Sequence, residues 1–391
     1  MSFEKPYEGL RVVDLSQGVA GPYCAMLLGR HGADVIKVEP LDGDWARMLA
    51  PIYGDNTAFS IGANIGKRSL AVDLKAEAGR AIVDRLLADA DVFLEGFRPG
   101  VIDRLGFSYE RLAAFNPPLI YVSISGFGQA GPLREKPAMD PVLQAFTGFM
   151  AENKGNDGIP HRTPVIVNDM TTALYTQQAV AAALYARRDD PRGRRINISL
   201  MEAAANLQTI RLMSGYRDGP YKPGTVPSGT FTTSDGWIQI VIIRDHDFRA
   251  LCSALGLDAI RDDPRFADRA GRFEHADYLN QTVADILKTE TSAHWRDIFT
   301  EAKLQNEMVQ TYEQFIHHPH VEATGLISWL VQPGSDTPWA VPNIPGLPRL
   351  GPDAPGSVAP RIGQHTREVL AELGFADAEI DKLATEKVVG V

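Results

Sequence analysis

Two short apolar runs at the start of the chain, separated by a turn and a helical pattern, restrict the fold most. Residues 10–15 (LRVVDL) and 33–39 (ADVIKVE) are rich in β-branched residues and have the length of strands. Residues 16–22 between them are small and turn-forming, and residues 23–31 have helical spacing. A connection that contains a helix joins parallel strands. The opening therefore predicts an α/β fold.

The same alternation continues further along the chain. Residues 69–74, 92–95 and 119–125 have strand character, and residues 76–89 have helical spacing. Strands that alternate with helices predict an open, doubly wound, mostly parallel sheet of the Rossmann-like kind. Apolar spacing from Met170 onward predicts a long helix that starts at Asp169, with Asn168 or Asp169 as its N-cap.

A change of composition after residue 215 predicts a second domain. Glycine and proline are frequent between residues 219 and 229, and a hairpin follows, with strands at 230–233 and 237–243. Helical stretches fill 247–321, residues 327–331 have strand character, and a proline-rich passage follows. Because 391 residues exceed the usual size of one domain, we expect more than one. The predicted divisions are a large domain at 1–215, a small α+β domain at 228–325, and a linker with return to the large domain at 326–391.

Charge and cysteine content exclude several function classes. The 49 acidic side chains outnumber the 39 lysines and arginines, so general attraction to nucleic acid or anionic lipid is not expected. Cys24 and Cys252 are far apart and outside any zinc-type spacing, which favours a reducing, cytoplasmic setting. Residues 1–9 do not have the pattern of a signal peptide, and no apolar run has the length of a membrane span.

Motifs of other enzyme classes are missing, while basic residues follow the predicted strands. The first turn lacks the G-x-G-x-x-G pattern of dinucleotide-binding folds, and His317, His318 and His320 have no acidic or cysteine partners, so no metal site is predicted. Ligands of open α/β sheets bind at the carboxyl ends of strands, which makes an anionic cofactor plausible there. The basic residues at those places are Lys67, Arg68, Lys75, Arg98 and Arg104. Taken singly, each is more often solvated, and Asp169 is more often a helix cap than a catalyst.

Several short phrases together carry a family resemblance. They are 21–22 (GP), 32–39 (GADVIKVE), 67–70 (KRSL), 90–92 (ADV), 97–100 (FRPG), 126–128 (GFG), Asp169, 193–202, 235–236 (DG) and 363–366 (GQHT). In order and spacing they resemble the class III CoA-transferases, a family that includes formyl-CoA, carnitine and benzylsuccinate transferases and the related methylacyl-CoA racemases. The likeness covers nearly the whole chain. It implies a large α/β domain assembled from both ends of the chain and a homodimer of two subunits interlinked like rings.

The resemblance also implies the ligands and the site. Coenzyme A would enter as acyl-CoA, without a metal, and a small carboxylic acid would accept it. Asp169 stands at the nucleophile position, where a carboxylate would form a mixed anhydride and then an aspartyl-CoA thioester. The residues implied to contact CoA are Val19, Ala20, Val72, Asp73, Leu74, Lys75, Gly96, Phe97, Arg98, Arg104, Lys136 and Met139.

Departures from the family pattern leave alternatives open. Many members carry Asn where this chain has Gly96, and the lack of consecutive glycines between Tyr216 and Thr230 disfavours an oxalate-specific enzyme. A methylacyl-CoA racemase needs two proton-transfer groups, and the His that racemases carry before the Asp is replaced here by Met139. A non-catalytic acyl-CoA-binding protein is the third reading. Specificity would depend on residues 216–229 and the surroundings of Met139. A hypothesis for the substrates is succinyl-CoA as the donor and a small dicarboxylate as the acceptor.

Overall fold

The chain forms two compact units. The computed structural model describes residues 5–49, 51–155, 158–220 and 224–391. One unit combines Met1–Arg217 with Thr324–Val391, and the other is Asp218–Ala323. The domain limits expected from the sequence, at residues 215, 228 and 325, stay a prediction.

The described part of the chain contains helices and strands in alternation. The strands are Arg11–Asp14 (β1), Asp34–Glu39 (β2), Arg68–Val72 (β3), Val92–Glu95 (β4), Ile120–Ser125 (β5), Arg194–Ser199 (β6), Gly229–Thr232 (β7), Trp237–Val241 (β8), Gln305–Met308 (β9), Ile327–Leu330 (β10), Trp339–Pro342 (β11) and Val389–Gly390 (β12). The first helices are Ala20–Arg30 (α1), Ala58–Asn64 (α2), Glu77–Ala88 (α3), Val101–Arg104 (α4), Tyr109–Phe115 (α5), Asp140–Phe146 (α6), Phe149–Glu152 (α7), Val167–Ala186 (α8), Leu200–Leu207 (α9) and Thr209–Asp218 (α10). The remaining helices are Asp245–Ala254 (α11), Asp258–Arg261 (α12), Arg269–Glu274 (α13), Ala276–Leu287 (α14), Ser292–Glu301 (α15), Tyr312–Ile316 (α16), Pro319–Thr324 (α17), Thr366–Glu372 (α18) and Asp377–Thr385 (α19). Short 3-10 helices occur at Trp45–Met48 and Pro264–Phe266.

The first unit is built on a seven-stranded sheet in the order β12-β3-β2-β1-β4-β5-β6. All neighbours are parallel except β12, which pairs antiparallel with β3. The predicted mostly parallel α/β sheet is confirmed. Successive strands run outward from β1 to β3, and the chain then returns to the other side of β1 with β4. In open α/β sheets the crevice at such a reversal receives the ligand.

Both faces of this sheet are buried, which explains its near-continuous apolar strands. Neighbouring residues point to opposite faces, so Val13 packs with Phe93 and Tyr121 in one core, while Val12 packs with Val122 in the other. Helices α3, α18 and α19 contribute to the first core, and α1 and α8 contribute to the second. The carboxyl edge of the sheet is therefore set on a rigid, two-sided core.

The second unit holds a separate antiparallel sheet. Strands β7 and β8 form the hairpin that the sequence predicts, and β9 completes the order β7-β8-β9. Its core includes Ile238, Phe266 and Phe299, from the sheet and the helices that follow it. Within the described residues, no helix is both long enough and apolar enough to cross a lipid bilayer.

Candidate functional site

Two neighbouring cavities lie at the carboxyl edge of the large sheet. The larger, of about 510 Å³, is bounded by residues that follow β1, β4 and β5. The smaller, of about 400 Å³, is bounded by residues that follow β2 and β3. Leu15, Gln17 and Phe97 line both cavities and form a shared wall. The shared wall stands where the strand order reverses, between β1 and β4.

Most of the residues expected to bind CoA line these cavities. The larger cavity includes Val19, Ala20, Gly96, Phe97, Arg98, Lys136 and Met139, together with Asp169. The smaller one includes Val72, Asp73, Leu74, Lys75 and Phe97. Arg104 is not among the described residues that line either cavity; it ends α4, next to Leu105 of the smaller one. The contact of these residues with CoA itself stays a prediction.

Asp169 lies in the first turn of α8. The prediction that Asn168 or Asp169 is the N-cap of this helix is wrong. The helix begins at Val167, and Ile166 at the N-cap position makes no side-chain capping bond. Instead Asp140, on α6, accepts the backbone N–H of Asn168 at 2.7 Å and of Asp169 at 3.3 Å. A carboxylate from elsewhere in the chain thus satisfies the helix end. The Asp169 side chain is thereby left available to the cavity.

The environment of Asp169 destabilises the ionised form of its side-chain carboxyl group. No cation lies within 4.0 Å of its carboxylate among the described residues. Burial raises the pKa of Asp169 to about 7, and the nearby charge of Asp140 contributes in the same direction. A carboxylate of raised pKa is poorly stabilised as an anion and is correspondingly a better nucleophile. Burial and a like charge are both typical of reactive carboxyl groups.

Asp140 is itself held by its neighbours. It is buried, and its Oδ1 accepts a hydrogen bond from Gln144 Nε2 at 2.6 Å. Gln144 Oε1 in turn accepts the backbone N–H of Thr163 at 3.0 Å, in the segment that leads into α8. The segment that leads to Asp169 is therefore fixed by hydrogen bonds that Asp140 and Gln144 accept.

The turn after β1 is fixed by buried ion pairs. Asp44 accepts the N–H of Gly18 at 3.0 and 3.1 Å, and Lys37 Nζ donates to Asp44 at 2.8 Å and to the carbonyl oxygen of Ser16. Gly18 has φ +80°, and a Cβ there would lie 2.4 Å from the ring of Trp45. Only glycine fits this close approach. Gln17 is thus presented at the shared wall by a rigid turn.

Three cationic side chains line the larger cavity. They are Arg98, Arg134 and Lys136. Lys136 Nζ lies 5.5 Å from the ring centroid of Phe127 and 6.0 Å from that of Phe146, distances typical of a cation over an aromatic face. Ser125 Oγ is buried in the wall and has no hydrogen-bond partner among the described residues. The cavity can therefore receive an anionic ligand with hydrogen-bonding oxygens.

Several lining residues were missed from the sequence. Gln17, Trp45, Arg134 and residues 124–126 line the larger cavity without having been predicted. Gln17 and residues 124–126 could have been found from their places after β1 and at the end of β5, since ligands bind at those ends. Arg134 lies in a turn and Trp45 begins a short 3-10 helix, and neither position has a clear sequence signal. Among the described residues, no group of three or more His, Cys, Asp or Glu side chains is arranged to hold a metal.

Comparisons with known proteins show the family to which this fold and sequence are similar. The family model described as CoA-transferase family III matches residues 7–366. The chain is 34% identical to the acetyl-CoA:oxalate CoA-transferase of Acetobacter aceti, over 88% of this chain and 94% of that protein. It is 35% identical to the succinate–glutarate CoA-transferase of Agrobacterium fabrum, over 94% and 96%. A CAIB/BAIF family protein from Brucella suis, of known crystal structure, matches with TM-score 0.84 and 30% identity over 95% of this chain and all of that one.

Proposed function

Because this chain belongs to CoA-transferase family III and is therefore an enzyme, we propose that it moves CoA from an acyl-CoA donor to a carboxylic acid acceptor through Asp169. The observation that carries the proposal is a carboxyl group of raised pKa in a cavity that also contains three cations. Such a cavity suits two anionic substrates and a nucleophile. The smaller cavity provides room for the part of CoA remote from the thioester.

The first half of the proposed reaction removes the acyl group from CoA. An oxygen of the Asp169 carboxylate attacks the thioester carbonyl carbon, the C–S bond breaks, and CoA leaves as a thiolate with the bonding electron pair. The product is a mixed anhydride of Asp169 and the donor acid. The thiolate then attacks the aspartyl carbonyl carbon, the anhydride C–O bond breaks, and the donor acid leaves as a carboxylate. The enzyme now carries an aspartyl-CoA thioester.

The second half repeats these steps in reverse with the acceptor. The acceptor carboxylate attacks the aspartyl carbonyl carbon and expels CoA thiolate, which gives a new mixed anhydride. The thiolate then attacks the acceptor's acyl carbon and releases the Asp169 carboxylate. No net hydrolysis occurs provided that water is kept from the anhydride. The buried Ser125 hydroxyl is a candidate donor to a developing oxyanion in this cavity.

The acid substrates that fit this site best are dicarboxylates, with succinyl-CoA as the donor. The names of two relatives contain oxalate, succinate and glutarate, all dicarboxylates. A second carboxylate would need a cationic partner in the cavity. Lys136 lies in its wall, as does Arg134, which also pairs with Glu135 at 3.1 Å. The loop at 216–229, expected to influence specificity, includes residues 221–223, which lie outside the described residues.

We further propose that the enzyme works as a homodimer of interlinked subunits in the cytoplasm. Helix α10 contains no buried residue, and its exposed apolar side chains include Ile210 at 86%, Met213 at 65% and Tyr216 at 94%. Apolar side chains so exposed on one helix fit a contact with a second copy. Cys24 and Cys252 are each free and buried, which suits a reducing compartment. Light scattering should give about twice the mass of one chain, with no dissociation on dilution.

The proposed reaction is tested by acyl exchange. Purified protein is incubated with succinyl-CoA and a panel of mono- and dicarboxylic acids, and new acyl-CoA species are followed by mass spectrometry. We expect exchange with dicarboxylates and a hydroxylamine-trapped adduct on Asp169. Asp169→Asn should lower the rate by about 10⁴-fold or more, because the nucleophile is removed. Asp336→Asn, at an exposed position, is the matched control.

Other outcomes point to other functions. Full exchange by Asp169→Asn would exclude the aspartyl mechanism. No exchange, with deuterium uptake at the α-carbon of a branched acyl-CoA, would favour the racemase. Binding of CoA with neither reaction would identify an acyl-CoA-binding protein.

A further inference from the structure

Glu95 lies at the start of the loop that crosses the shared wall. It is the last residue of β4, and its side chain is buried, with 1% exposure. Its Oε2 accepts the backbone N–H of Phe97 at 2.9 Å. This bond closes a tight turn directly after the strand. Phe97 lines both cavities, and the neighbouring residues 96, 98 and 99 line the larger one.

Buried carboxylates perform the same task in the turn after β1, but with cations attached. Asp14 accepts the N–H of Ser16 at 3.1 Å and is paired with Lys67 Nζ at 2.7 Å. Asp44 accepts the N–H of Gly18 and is paired with Lys37. Glu95 has no cation within 4.0 Å in the part of the chain that the structure describes. Its bond to the loop therefore depends on a charge that has no ion-pair partner among the described residues.

The groups that face Glu95 come from the three elements around it. Ser123 and Tyr121 lie on β5, Asp103 lies on α4, and Arg195 lies on β6. Burial is the largest influence and raises the pKa of Glu95 to about 7; Asp103 adds to this rise, while Ser123, the Phe97 N–H and Arg195 oppose it. Glu95 therefore changes charge close to neutral pH.

We propose that Glu95 is a positioning residue whose ionised carboxylate holds residues 96–99 in the shape that receives CoA. This inference rests on the proposed function, since it takes the cavities to bind CoA. A hydrogen bond to an ionised acceptor is stronger than one to a neutral acceptor. The loop is held firmly when Glu95 is ionised and loosely when it is protonated. Because CoA binds the firmly held loop, its affinity rises as the pH rises through the pKa of Glu95.

Calorimetric titration of the full chain with CoA tests the inference. If only the ionised form binds, the wild-type dissociation constant falls by about tenfold between about pH 6 and about pH 8, because the competent fraction rises from roughly one eleventh to ten elevenths. Glu95→Gln keeps the shape and a weaker acceptor but has no charge to lose. We expect that variant to lack this Glu95-dependent change and to bind more weakly than wild type at about pH 8.

Two controls isolate the effect of Glu95. The phosphates of CoA titrate identically with every variant, so the ratio of variant to wild-type dissociation constants is compared across pH. Glu110→Gln removes an exposed carboxylate that also lies near Arg195, and its ratio should stay near one. Asp169→Asn serves as a common background, which removes the other carboxyl group that titrates near neutrality. If Glu95→Gln and wild type differ by the same factor at both pH values, the inference is wrong.

A measurement without variants guards against misfolding of Glu95→Gln. Hydrogen exchange of the Phe97 amide in the wild-type protein, corrected for the intrinsic rate, should show protection that rises with pH through about 7. Protection that does not change with pH would overturn the inference. Wild-type protein that fails to bind CoA at either pH would instead overturn the proposed function, and the inference with it.

Discussion

Buried carboxyl groups have different partners in the two halves of the sheet's carboxyl edge. After β1 and β2, Asp14 and Asp44 are paired with Lys67 and Lys37. Burial by itself raises the pKa of Asp14, but Lys67 and Lys37 outweigh it and lower the pKa. After β4, and at the start of α8, Glu95 and Asp169 have no such partner among the described residues, and burial raises the pKa of each to about 7. The carboxyl group of Asp14 therefore stays ionised at neutral pH, whereas those of Glu95 and Asp169 change charge close to it.

The paired carboxylates support the structure of the site, whereas the unpaired ones are suited to its chemistry. A buried carboxylate that is paired with a cation stays ionised below neutral pH, as Asp14 does, and suits a rigid wall. An unpaired buried carboxylate is costly, and proteins retain such groups where they react or respond to a ligand. The rigid turn with Gln17 and the titrating groups Glu95 and Asp169 meet around the larger cavity. Substitutions should therefore affect mainly stability in the first half and mainly pH dependence in the second.

Breaking the Lys37–Asp44 pair should have the largest effect on stability. Lys37→Met leaves the carboxylate of Asp44 buried without its cation, which is expected to lower the free energy of unfolding by about 3 to 5 kcal/mol. The double variant Lys37→Met/Asp44→Leu should recover much of this loss, because neither member of the pair is left as an unpaired buried charge. It should not recover CoA binding, since the Gly18 N–H loses its acceptor. Urea unfolding and CoA titration measure the two effects separately. Equal recovery of both would contradict the role of Asp44 in the turn.

Removing the charge of Asp140 should move the pH dependence of activity. Because Asp169 attacks as a carboxylate, the wild-type rate should rise through a pH of about 7 and fall by about tenfold for each unit below it. Asp140→Asn removes a like charge that raises the pKa of Asp169, so the midpoint should move to lower pH. The same change weakens the cap of α8 and should cost about 1 kcal/mol of stability. Single-turnover rates of adduct formation across pH measure the midpoint, and Asp336→Asn, at an exposed residue, should leave it in place. An unchanged midpoint in Asp140→Asn would show that Asp140 acts only on structure.

The sequence predicted the strands of the central sheet better than its edges. Strands β1 to β5 were found because both faces are buried and the runs are apolar. Strand β6 (RRINIS) was missed because its apolar residues alternate with the exposed polar residues Arg195 and Asn197, although Ser199 and Glu202 form a capping box that marks the start of α9. Strand β12 has two residues and exists only because the chain end returns to β3.

The residues of the candidate site were predicted from short motifs that resemble those of a family, rather than from hydrophobic periodicity or charge pattern. Glycine, arginine and aspartate at loop positions carry no distinct signal on their own. The cap on α8 was beyond sequence reasoning, because Asp140 lies 28 residues before Asn168 and reaches it only in the folded chain. The same holds for the N–H bonds from Gly18 to Asp44, which are 26 residues apart. Contacts between distant residues decide which carboxylates are paired with a cation, and so decide the contrast between the two halves.

The smallest expected effect comes from restoring the family's asparagine at position 96. A Cβ at Gly96 would meet Ser16 Cβ at 3.5 Å, an ordinary contact, so Gly96→Asn should change the free energy of unfolding by no more than about 0.5 kcal/mol. Its amide adds hydrogen-bonding groups at the cavity wall, and we expect CoA to bind about threefold more tightly, within the range of one modest hydrogen bond. Gly18→Ala is the matched change in the other half, where the positive φ and the ring of Trp45 leave no space for a methyl group. A loss of stability in Gly96→Asn comparable to that in Gly18→Ala would mean that the turn after β4 is as rigid as the turn after β1. The contrast between the two halves would then rest on charge alone.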